Sequence, residues 1–552
     1  MSRAITRRTF IKTGSLATAG IIVGCSMRNR FEIIIRNGSL LDGLGKPAVR
    51  ADLGISAGKI SSIGDLSAAT ADRVIDAAGY MVAPGFIDIH THTDLEILAN
   101  PRGESKIRQG ITTEIAGNCG ASPFPIAPEE QHERAAEWAE EYQVQTRWTD
   151  IGGFYDAIRV QGVAFNYGSL TGHGDLRAAV VGRHAVAPTD DQLRQMRLLL
   201  DRSLELGSLG LSTGLEYAPG SYAKTDELIA LCKTVSTRGG IYATHMRNED
   251  DTVIEAIEEA LTICRETGVS TQLSHLKACN KNNWHKVPQI LELLDRAAAE
   301  LPVTADRYPY DAWGTDLTSF TPQWARQGDT DERIARLEDP QQAAEIMEYA
   351  NGRAQRIGGW DRVLISGCET PANKIWEGMD ILSCAARRRQ TPAEFVRSLL
   401  IEDRLDVGCV GFAMSEDNLK LVLNSPHVLI GSDGTAVADY GILHRGKPHP
   451  RYYGAFPRVL GRYVREQQAL TLPQAVQMMT SMPAKKLNLT GRGALIEKNF
   501  ADITIFNPDT VIDNATFADP HQYPSGIDYV IVNGKVVIDQ GRHTDVMAGV
   551  LL

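Results

Sequence analysis

Short apolar runs separated by turns characterise both ends of the chain. After Phe31 the sequence alternates such runs with N-G, D-G and A-G-K turn signals, which predicts a meander of β-strands. The same pattern returns near the other end, in FADITIFNPDTV and SGIDYVIVNGKVVIDQG. We therefore expect residues 31–84 and 485–552 to form one small β-sandwich together.

The middle of the chain changes to a repeat of strand, loop and helix. Eight runs have the length and apolar character of buried strands, and helix-compatible segments such as DTVIEAIEEALTICRETG separate them. These runs are residues 86–92, 112–117, 164–170, 210–213, 241–245, 271–275, 303–308 and 428–432. Several repeats have the length of one βα unit, about 30 residues. The pattern predicts an α/β fold, a (β/α)8 TIM-type barrel, over residues 85–484.

A long gap separates the last two predicted strands. It covers about 120 residues, far more than the single crossover helix that a parallel strand pair needs. We interpret the gap as an inserted subdomain near residues 316–425, with RVLISG at 362–367 as an additional strand. A chain of 552 residues agrees with one large and one small domain, since single cores seldom exceed about 300 residues.

Composition narrows the class of protein. Hydrophobic residues make up 43% and charged residues 23% of the chain, the balance of a globular protein rather than a disordered one. The net charge of −11 is spread without a basic block, so nothing indicates a nucleic-acid partner.

The first thirty residues have the features of an export signal. Arg7 and Arg8 lie within TRRTFIK, small residues follow, and the segment ends in IVGC at Cys25. This resembles a twin-arginine signal followed by a bacterial lipoprotein lipobox. The alternative is a transmembrane anchor, but residues 13–24 fall short of the roughly 20 apolar residues that crossing requires. We expect residues 1–30 to direct export, Cys25 to be lipidated, and the protein to be periplasmic and membrane-anchored.

Residues able to bind a metal lie at the ends of five of the predicted strands or directly after them. In a barrel the carboxyl ends of the strands meet at one mouth, where the catalytic groups of such enzymes lie. The candidates are His90, His92, Cys119, His245, His275 and Asp433. A single such residue usually has a structural role, but imidazole, thiolate and carboxylate are the ligands that zinc prefers. Six at one rim therefore predict a metal site.

Seven motifs, in this order, carry a resemblance to a known family. They are APGFIDIHTHTD, GNCGASP, GLSTGLEYAPG, THMRNE, SHLK, SDGTA and PHPRYYGAFPRVLGRY. Together they resemble the amidohydrolase superfamily, and within it the D-aminoacylases, or N-acyl-D-amino-acid deacylases. The resemblance covers nearly everything after Phe31 and implies zinc-dependent hydrolysis of the amide of N-acyl-D-amino acids. Many amidohydrolases bridge two metals with a carboxylated lysine on strand four, whereas this chain has Leu-Ser-Thr-Gly at 211–214.

The resemblance also assigns roles to the candidate ligands. It implies that Cys119, His245 and His275 bind one zinc tightly. It implies further that His90, His92 and Asp433 line a weaker or empty second position. Asp433 is the candidate general base, which takes a proton from the attacking water and later delivers it to the leaving amine.

Four further residues match the family's carboxylate-binding positions. They are Arg451, Lys277, Tyr308 and Tyr217, and the resemblance implies that they bind the α-carboxylate of a small N-acyl-D-amino acid. His173 in TGHGDLR is interpreted as structural or supporting. The chain departs from the family at residues 436–447, which lengthen the segment between Asp433 and the PHPR motif, and at Trp313-Gly314. The resemblance therefore does not indicate which substrate side chain the enzyme prefers.

Two alternatives remain. One is a cyclic amidase acting on hydantoins or dihydropyrimidines, against which the missing lysine and the presence of Cys119 both count. The other is a metal-binding or solute-binding lipoprotein without catalysis. Such a protein could lose Asp433 or the histidines without penalty, yet all are present.

Overall fold

The computed structural model describes residues 30–552. The predicted export signal, with Arg7, Arg8 and Cys25, lies outside the described residues. Within the described part of the chain, no helix combines the length and apolar character needed to cross a bilayer.

Two sheets contain the strands at the ends of the described chain, and the second sheet combines strands from both ends. The first contains, in spatial order, Lys59–Gly64, Asp52–Ser56, Arg30–Arg36 and Thr70–Asp76. The second contains Arg542–His543, Lys535–Asp539, Ile527–Val532, Ile503–Phe506, Met81–Pro84, Ser39–Leu40 and Val49–Arg50. Met81–Pro84 pairs antiparallel with Ile503–Phe506, so a strand that precedes the central region is hydrogen-bonded to one that follows it.

One apolar cluster joins the strands of these two sheets. It includes Ile35 and Leu53 from the first sheet and Val82, Ile503 and Ile531 from the second, all fully buried. Burying one such side chain is worth about 1.5 to 3 kcal/mol. Residues more than 400 positions apart in the sequence are thus held in one core.

The central region contains parallel strands that follow one another in chain order. Phe86–Asp88, Ile111–Ala116 and Asn166–Ser169 form a three-stranded sheet. Thr171–Gly172, Gly210–Gly214, Ile241–His245, Ser270–Leu273, Val303–Arg307 and Val428–Ile430 form a six-stranded sheet. Only Leu170 separates the two sheets along the chain. The predicted α/β class is confirmed, and the strands occur in the predicted order.

Helices connect the parallel strands. The α-helices are Glu96–Ala99, Glu104–Ile107, Gln131–Tyr142, Ile151–Gln161, His173–Val180, Asp190–Glu205, Thr225–Thr237, Val253–Thr267, Val287–Ala298, Thr330–Glu338, Pro340–Ile357, Ile381–Arg388, Pro392–Glu402, Glu416–Leu423, Arg451–Arg458, Leu472–Met479 and Ser481–Lys486, and a π-helix covers Val459–Glu466. Val253–Thr267 shows why they form. Val253, Ile257 and Leu261 recur every four residues and are buried, as one face of an amphipathic helix requires.

Two differences from the expected strand bounds are larger than the others. The first central strand ends at Asp88 rather than at His92, so His90 and His92 lie in the segment after it. The third is split into Asn166–Ser169 and Thr171–Gly172. In and directly before the predicted insertion, an antiparallel sheet contains, in spatial order, Trp313–Asp316, Val407–Gly411 and Val363–Cys368.

A buried ammonium group connects the first two parallel strands to the last. Lys106 Nζ lies 2.9 Å from Asp88 Oδ2 and 3.1 Å from Glu114 Oε1, and all three side chains are fully buried. The same nitrogen donates to Ser432 Oγ at 2.6 Å and to the Gly434 carbonyl at 3.1 Å. Burial raises the pKa of Glu114 to about 7 although Lys106 opposes the shift.

We expect Lys106→Met to lower the free energy of unfolding by about 3 to 5 kcal/mol, because it leaves two buried carboxyl groups without their cation. Chemical denaturation followed by circular dichroism measures the change. Lys46→Met is the matched control, since the Lys46 side chain is 72% exposed and its loss should change stability by less than about 0.5 kcal/mol. An unchanged unfolding midpoint for Lys106→Met would contradict the assignment.

Candidate metal centre

A cavity of about 440 Å³ opens at the carboxyl ends of the parallel strands. Its wall includes five of the six predicted metal ligands, namely His92, Cys119, His245, His275 and Asp433. The sixth, His90, is fully buried directly behind them. The structure therefore brings all six candidates together.

Four donor atoms form the centre of this group. Cys119 Sγ lies 3.4 Å from His90 Nε2 and 3.6 Å from His275 Nε2. Asp433 Oδ1 lies 3.3 Å from His90 Nε2 and 3.0 Å from His92 Nε2. The donor atoms of His90, Cys119, His275 and Asp433 all lie within 4.8 Å of one another. Such spacing lets several of them bind one cation.

His245 supplies the evidence that this group suits a metal. Both of its ring nitrogens are buried without a hydrogen-bond partner within residues 30–552, although buried polar atoms are nearly always paired. Its ring centroid lies 4.7 Å from that of His275, and the two form a further donor group with Glu249. Unpaired imidazole nitrogen beside a thiolate fits the ligand preference of zinc.

Two carboxylates outside the cluster orient its histidines. His90 Nδ1 lies 3.0 Å from Asp306 Oδ1, and His275 Nδ1 lies 2.7 Å from Glu249 Oε1. When these Nδ1 atoms donate to the carboxylates, the Nε2 atoms are directed towards the centre, where a bound metal would take the place of a proton. Glu249 and Asp306 were not among the predicted site residues. Asp306 lies within a predicted strand, and Glu249 is the last residue of the THMRNE motif. Their places in the sequence, close to predicted ligands or at the end of a strand, were the only signal that could have indicated a role in the site.

The surroundings of the cluster favour the ionised forms of Cys119 and Asp433. Burial opposes ionisation of Cys119, but the imidazoles of His90, His245 and His275 outweigh it and hold the pKa of the thiol well below its usual range. Burial also opposes ionisation of Asp433, and the charges of Arg451 and His90 hold its pKa well below the usual carboxyl value. A thiolate and a carboxylate are therefore available as ligands near neutral pH.

Three of the donor residues have a left-handed backbone. The φ angles are 52° at Cys119, 38° at His275 and 50° at Asp433, in a region where a non-glycine residue costs about 1 to 3 kcal/mol. Each lies just after a parallel strand, where the chain turns into the cavity. Gly214 packs directly against the Cys119 turn. A Cβ at this position would lie 2.0 Å from the Cys119 carbonyl oxygen, so a larger residue would displace the turn.

The predicted carboxylate-binding residues lie in the same cavity. Arg451 NH1 bonds Asp433 Oδ2 at 2.7 Å, and its guanidinium lies 4.8 Å from the centre of the Tyr308 ring. In the part of the chain that the structure describes, Arg451 Nε and the Tyr308 hydroxyl are buried without a hydrogen-bond partner, which leaves a donor pair for a ligand. Lys277 Nζ bonds Glu249 at 2.6 Å. Tyr217 packs its ring 4.7 Å from that of His245.

His173 lies outside this arrangement. It is the first residue of its helix, it is fully buried, and its Nε2 lies 2.9 Å from Glu227 Oε1. Its side chain does not line the cavity. This position agrees with a structural role.

Comparison with known proteins identifies the family. The model of the amidohydrolase family matches residues 73–538. The chain belongs to the amidohydrolase family. An N-acyl-D-glutamate deacylase of Alcaligenes xylosoxydans xylosoxydans is 37% identical over 515 residues, which cover 93% of this chain and 95% of that protein.

Two solved structures share the fold of this amidohydrolase. One is an N-acyl-D-glutamate deacylase from Bordetella bronchiseptica complexed with zinc and a phosphonate inhibitor that mimics the tetrahedral intermediate. It is 35% identical, has a TM-score of 0.79, and the match covers 95% of this chain and 99% of that one. The other is a D-aminoacylase with a binuclear metal centre, described by one-metal activation and second-metal attenuation. It is 34% identical with a TM-score of 0.78 and the same coverage.

We expect Cys119→Ala to lose its tightly bound zinc, because the substitution removes the thiolate at the centre of the donor group. Metal analysis after dialysis against a weak chelator measures the zinc that remains. Cys279→Ala is the matched control: Cys279 also lines the cavity but belongs to neither donor group. A Cys119→Ala protein with the zinc content of the wild type would exclude the ligand assignment.

Proposed function

We propose that this amidohydrolase removes the acyl group from N-acyl-D-amino acids with the help of zinc. The observation that carries the proposal is the placement of one carboxylate, Asp433, between the metal-binding imidazoles and Arg451. A general base and a carboxylate-binding guanidinium are thus adjacent at one cavity wall. The relative of known activity and the zinc-containing structure support the same assignment.

Zinc bound to this donor set would lower the pKa of a water molecule and polarise the substrate carbonyl. Asp433 is held for proton transfer by His92 at 3.0 Å and by Arg451 at 2.7 Å. It accepts the proton of the attacking water and returns it to the leaving nitrogen, which lets the amine depart as a neutral group. A side chain fixed at both oxygens loses little orientational freedom in this step.

Arg451 and Tyr308 bind the substrate carboxylate in this proposal. Arg451 and Tyr308 both line the cavity, the Nε of Arg451 and the hydroxyl of Tyr308 have no hydrogen-bond partner within residues 30–552, and the guanidinium packs on the Tyr308 ring. Arg offers a planar pair of donors to a carboxylate, which a lysine cannot. Lys277, although paired with Glu249, adds positive charge to the same wall.

The cyclic amidase alternative fits the strand-four residues poorly. Strand Gly210–Gly214 has no lysine that could be carboxylated to bridge two metals. Its last residue instead packs against the turn that carries Cys119. A purely binding role would not need Asp433 held between His92 and Arg451.

The test is hydrolysis of N-acetyl-D-methionine and N-acetyl-L-methionine by the zinc-loaded protein. We expect turnover of the D-enantiomer, its loss on chelation and its return with zinc. Asp433→Asn should lower kcat by about 100- to 10,000-fold, the usual contribution of a general base, while it keeps zinc on the remaining ligands. Hydrolysis of hydantoin or dihydrouracil in place of both N-acetyl compounds would favour the cyclic amidase.

We also propose that the central parallel strands close into a (β/α)8 barrel. An isolated parallel bridge between Thr91 and Gly434 joins the segments that follow the first and last strands. Lys106 links the same two regions. The two central sheets would then be arcs of one barrel, interrupted at Leu170.

The export proposal rests on the sequence alone. TRRTFIK and IVGC support a twin-arginine route with acylation at Cys25, and one acyl chain adds membrane affinity through buried CH₂ groups. We expect Cys25→Ser to shift the protein from the membrane fraction to the soluble fraction, as measured by cell fractionation and immunoblotting. Equal membrane association of both proteins would contradict lipidation, and Cys384→Ser is the control.

A further inference from the structure

His449 lies directly behind the part of the cavity wall that carries Arg451. It precedes Arg451 by two residues in the PHPR motif, it is only 3% exposed, and it does not line the cavity. Arg451 is the first residue of the helix Arg451–Arg458, where backbone N–H groups find no acceptor within the helix. His449 is therefore placed to act on Arg451 without touching a ligand.

The two ring nitrogens of His449 have different partners. Nε2 lies 3.0 Å from the carbonyl oxygen of Ala312, and Nδ1 accepts from the backbone N–H of Arg451 at 3.0 Å. Because a carbonyl oxygen can only accept, the proton of the neutral ring is on Nε2 and the lone pair of Nδ1 faces Arg451. Burial and the charge of Arg451 hold the pKa of His449 well below its usual range, so the ring is neutral at neutral pH.

Two aromatic rings fix the orientation of this imidazole. The ring centroid of Tyr310 lies 5.1 Å from that of His449 at an interplanar angle of 87°. The Phe517 ring lies 5.0 Å away at 77°. Edge-to-face contacts of this kind are a favoured arrangement of neighbouring rings. Rotation of the imidazole would displace both rings, so Nδ1 of His449 is an acceptor with a fixed direction.

The Ala312 contact connects His449 to the wall that Arg451 reaches. Ala312 directly precedes the strand Trp313–Asp316, whose Gly314 lines the cavity. Arg451 NH2 donates to the Gly314 carbonyl at 3.4 Å. His449 thus holds the backbone from which the Arg451 side chain starts and the wall segment at which it ends. A shift of this imidazole would move the guanidinium relative to the cavity.

We propose that His449 is a positioning residue for recognition of the substrate α-carboxylate. It holds the Arg451 backbone through Nδ1, and the Ala312 carbonyl keeps the ring in the tautomer that this bond requires. The proposal rests on the proposed deacylase function, in which Arg451 binds the carboxylate. Loss of the Nδ1 acceptor weakens carboxylate binding and leaves zinc in place, because both hydrogen bonds of His449 go to residues outside the donor groups.

Two substitutions separate the roles of the ring nitrogens. His449→Asn keeps an acceptor near the Nδ1 position, whereas His449→Gln reaches the Nε2 position and leaves the Arg451 N–H without its acceptor. We expect His449→Gln to raise KM for N-acetyl-D-methionine by about 10- to 50-fold, as expected for a buried donor left unpaired, and His449→Asn by less than about 5-fold. In both variants kcat should change by less than about 3-fold, because the α-carboxylate keeps its charge throughout the reaction.

A neutral ligand separates the positioning of Arg451 from general damage to the cavity. N-acetyl-D-methioninamide has a carboxamide in place of the carboxylate, so it lacks the charge that strengthens hydrogen bonds to a guanidinium. Its inhibition constant should change by less than about 3-fold in His449→Gln, and metal analysis should find the zinc content of the wild type. If His449→Gln fails to fold, His449→Leu takes its place, since Leu has the size of Asn but no acceptor.

His521→Gln is the matched control. His521 Nδ1 lies 3.1 Å from the hydroxyl of Tyr453 on the same helix, and its Nε2 lies 3.0 Å from the Gly446 carbonyl oxygen. It therefore joins this helix to a carbonyl at a residue other than Arg451, and we expect the KM of the wild type.

Three results would overturn the proposal: the same KM in His449→Asn and His449→Gln, an equal weakening of the substrate and its neutral amide, or an equal rise in KM in His521→Gln. Absence of N-acetyl-D-methionine hydrolysis by the zinc-loaded wild type would instead refute the deacylase function.

Discussion

One buried ammonium group, that of Lys106, holds together the strand ends on which the metal centre depends. It contacts Asp88 and Glu114 from the first two parallel strands. It also contacts Ser432 and Gly434, the residues on either side of Asp433. An ion removed from water costs several kcal/mol unless it is fully paired. The pairing that stabilises Lys106 therefore also fixes the turn that presents Asp433 to the cavity.

The donor cluster is assembled against local conformational preference. Cys119, His275 and Asp433 all adopt left-handed φ angles, and such angles persist only where surrounding contacts determine them. Here the contacts are carboxylates and backbone groups: Asp306 accepts both from His90 Nδ1 and from the His275 N–H. Asp306 thus orients one histidine ring and the backbone of the other. Ligand geometry depends on this outer layer as much as on the ligands themselves.

The candidate metal ligands could be predicted from the sequence, but the buried charged residues that hold them in place could not. His90, His92, Cys119, His245, His275 and Asp433 could be recognised because each follows a run that reads as a strand. Lys106, Glu249 and Asp306 could not, because a charged residue in a sequence is far more often exposed than buried. The prediction placed His90 and His92 within the first central strand, residues 86–92, yet that strand ends at Asp88. What brings both rings to Asp433 is the turn after the strand, and local periodicity does not encode that turn.

The parallel strands and the insertion meet different physical requirements. Metal ligands and a general base must be placed within about 0.5 Å, which rigid strands and buried ion pairs provide. Recognition of a substrate charge tolerates more variation, because the Coulomb energy between unit charges falls only as the inverse of distance. Arg353, on a helix of the insertion, rests on Phe320 and lines the cavity without belonging to either donor group. The insertion therefore contributes to the cavity wall, while the turns after the parallel strands hold Cys119, His275 and Asp433.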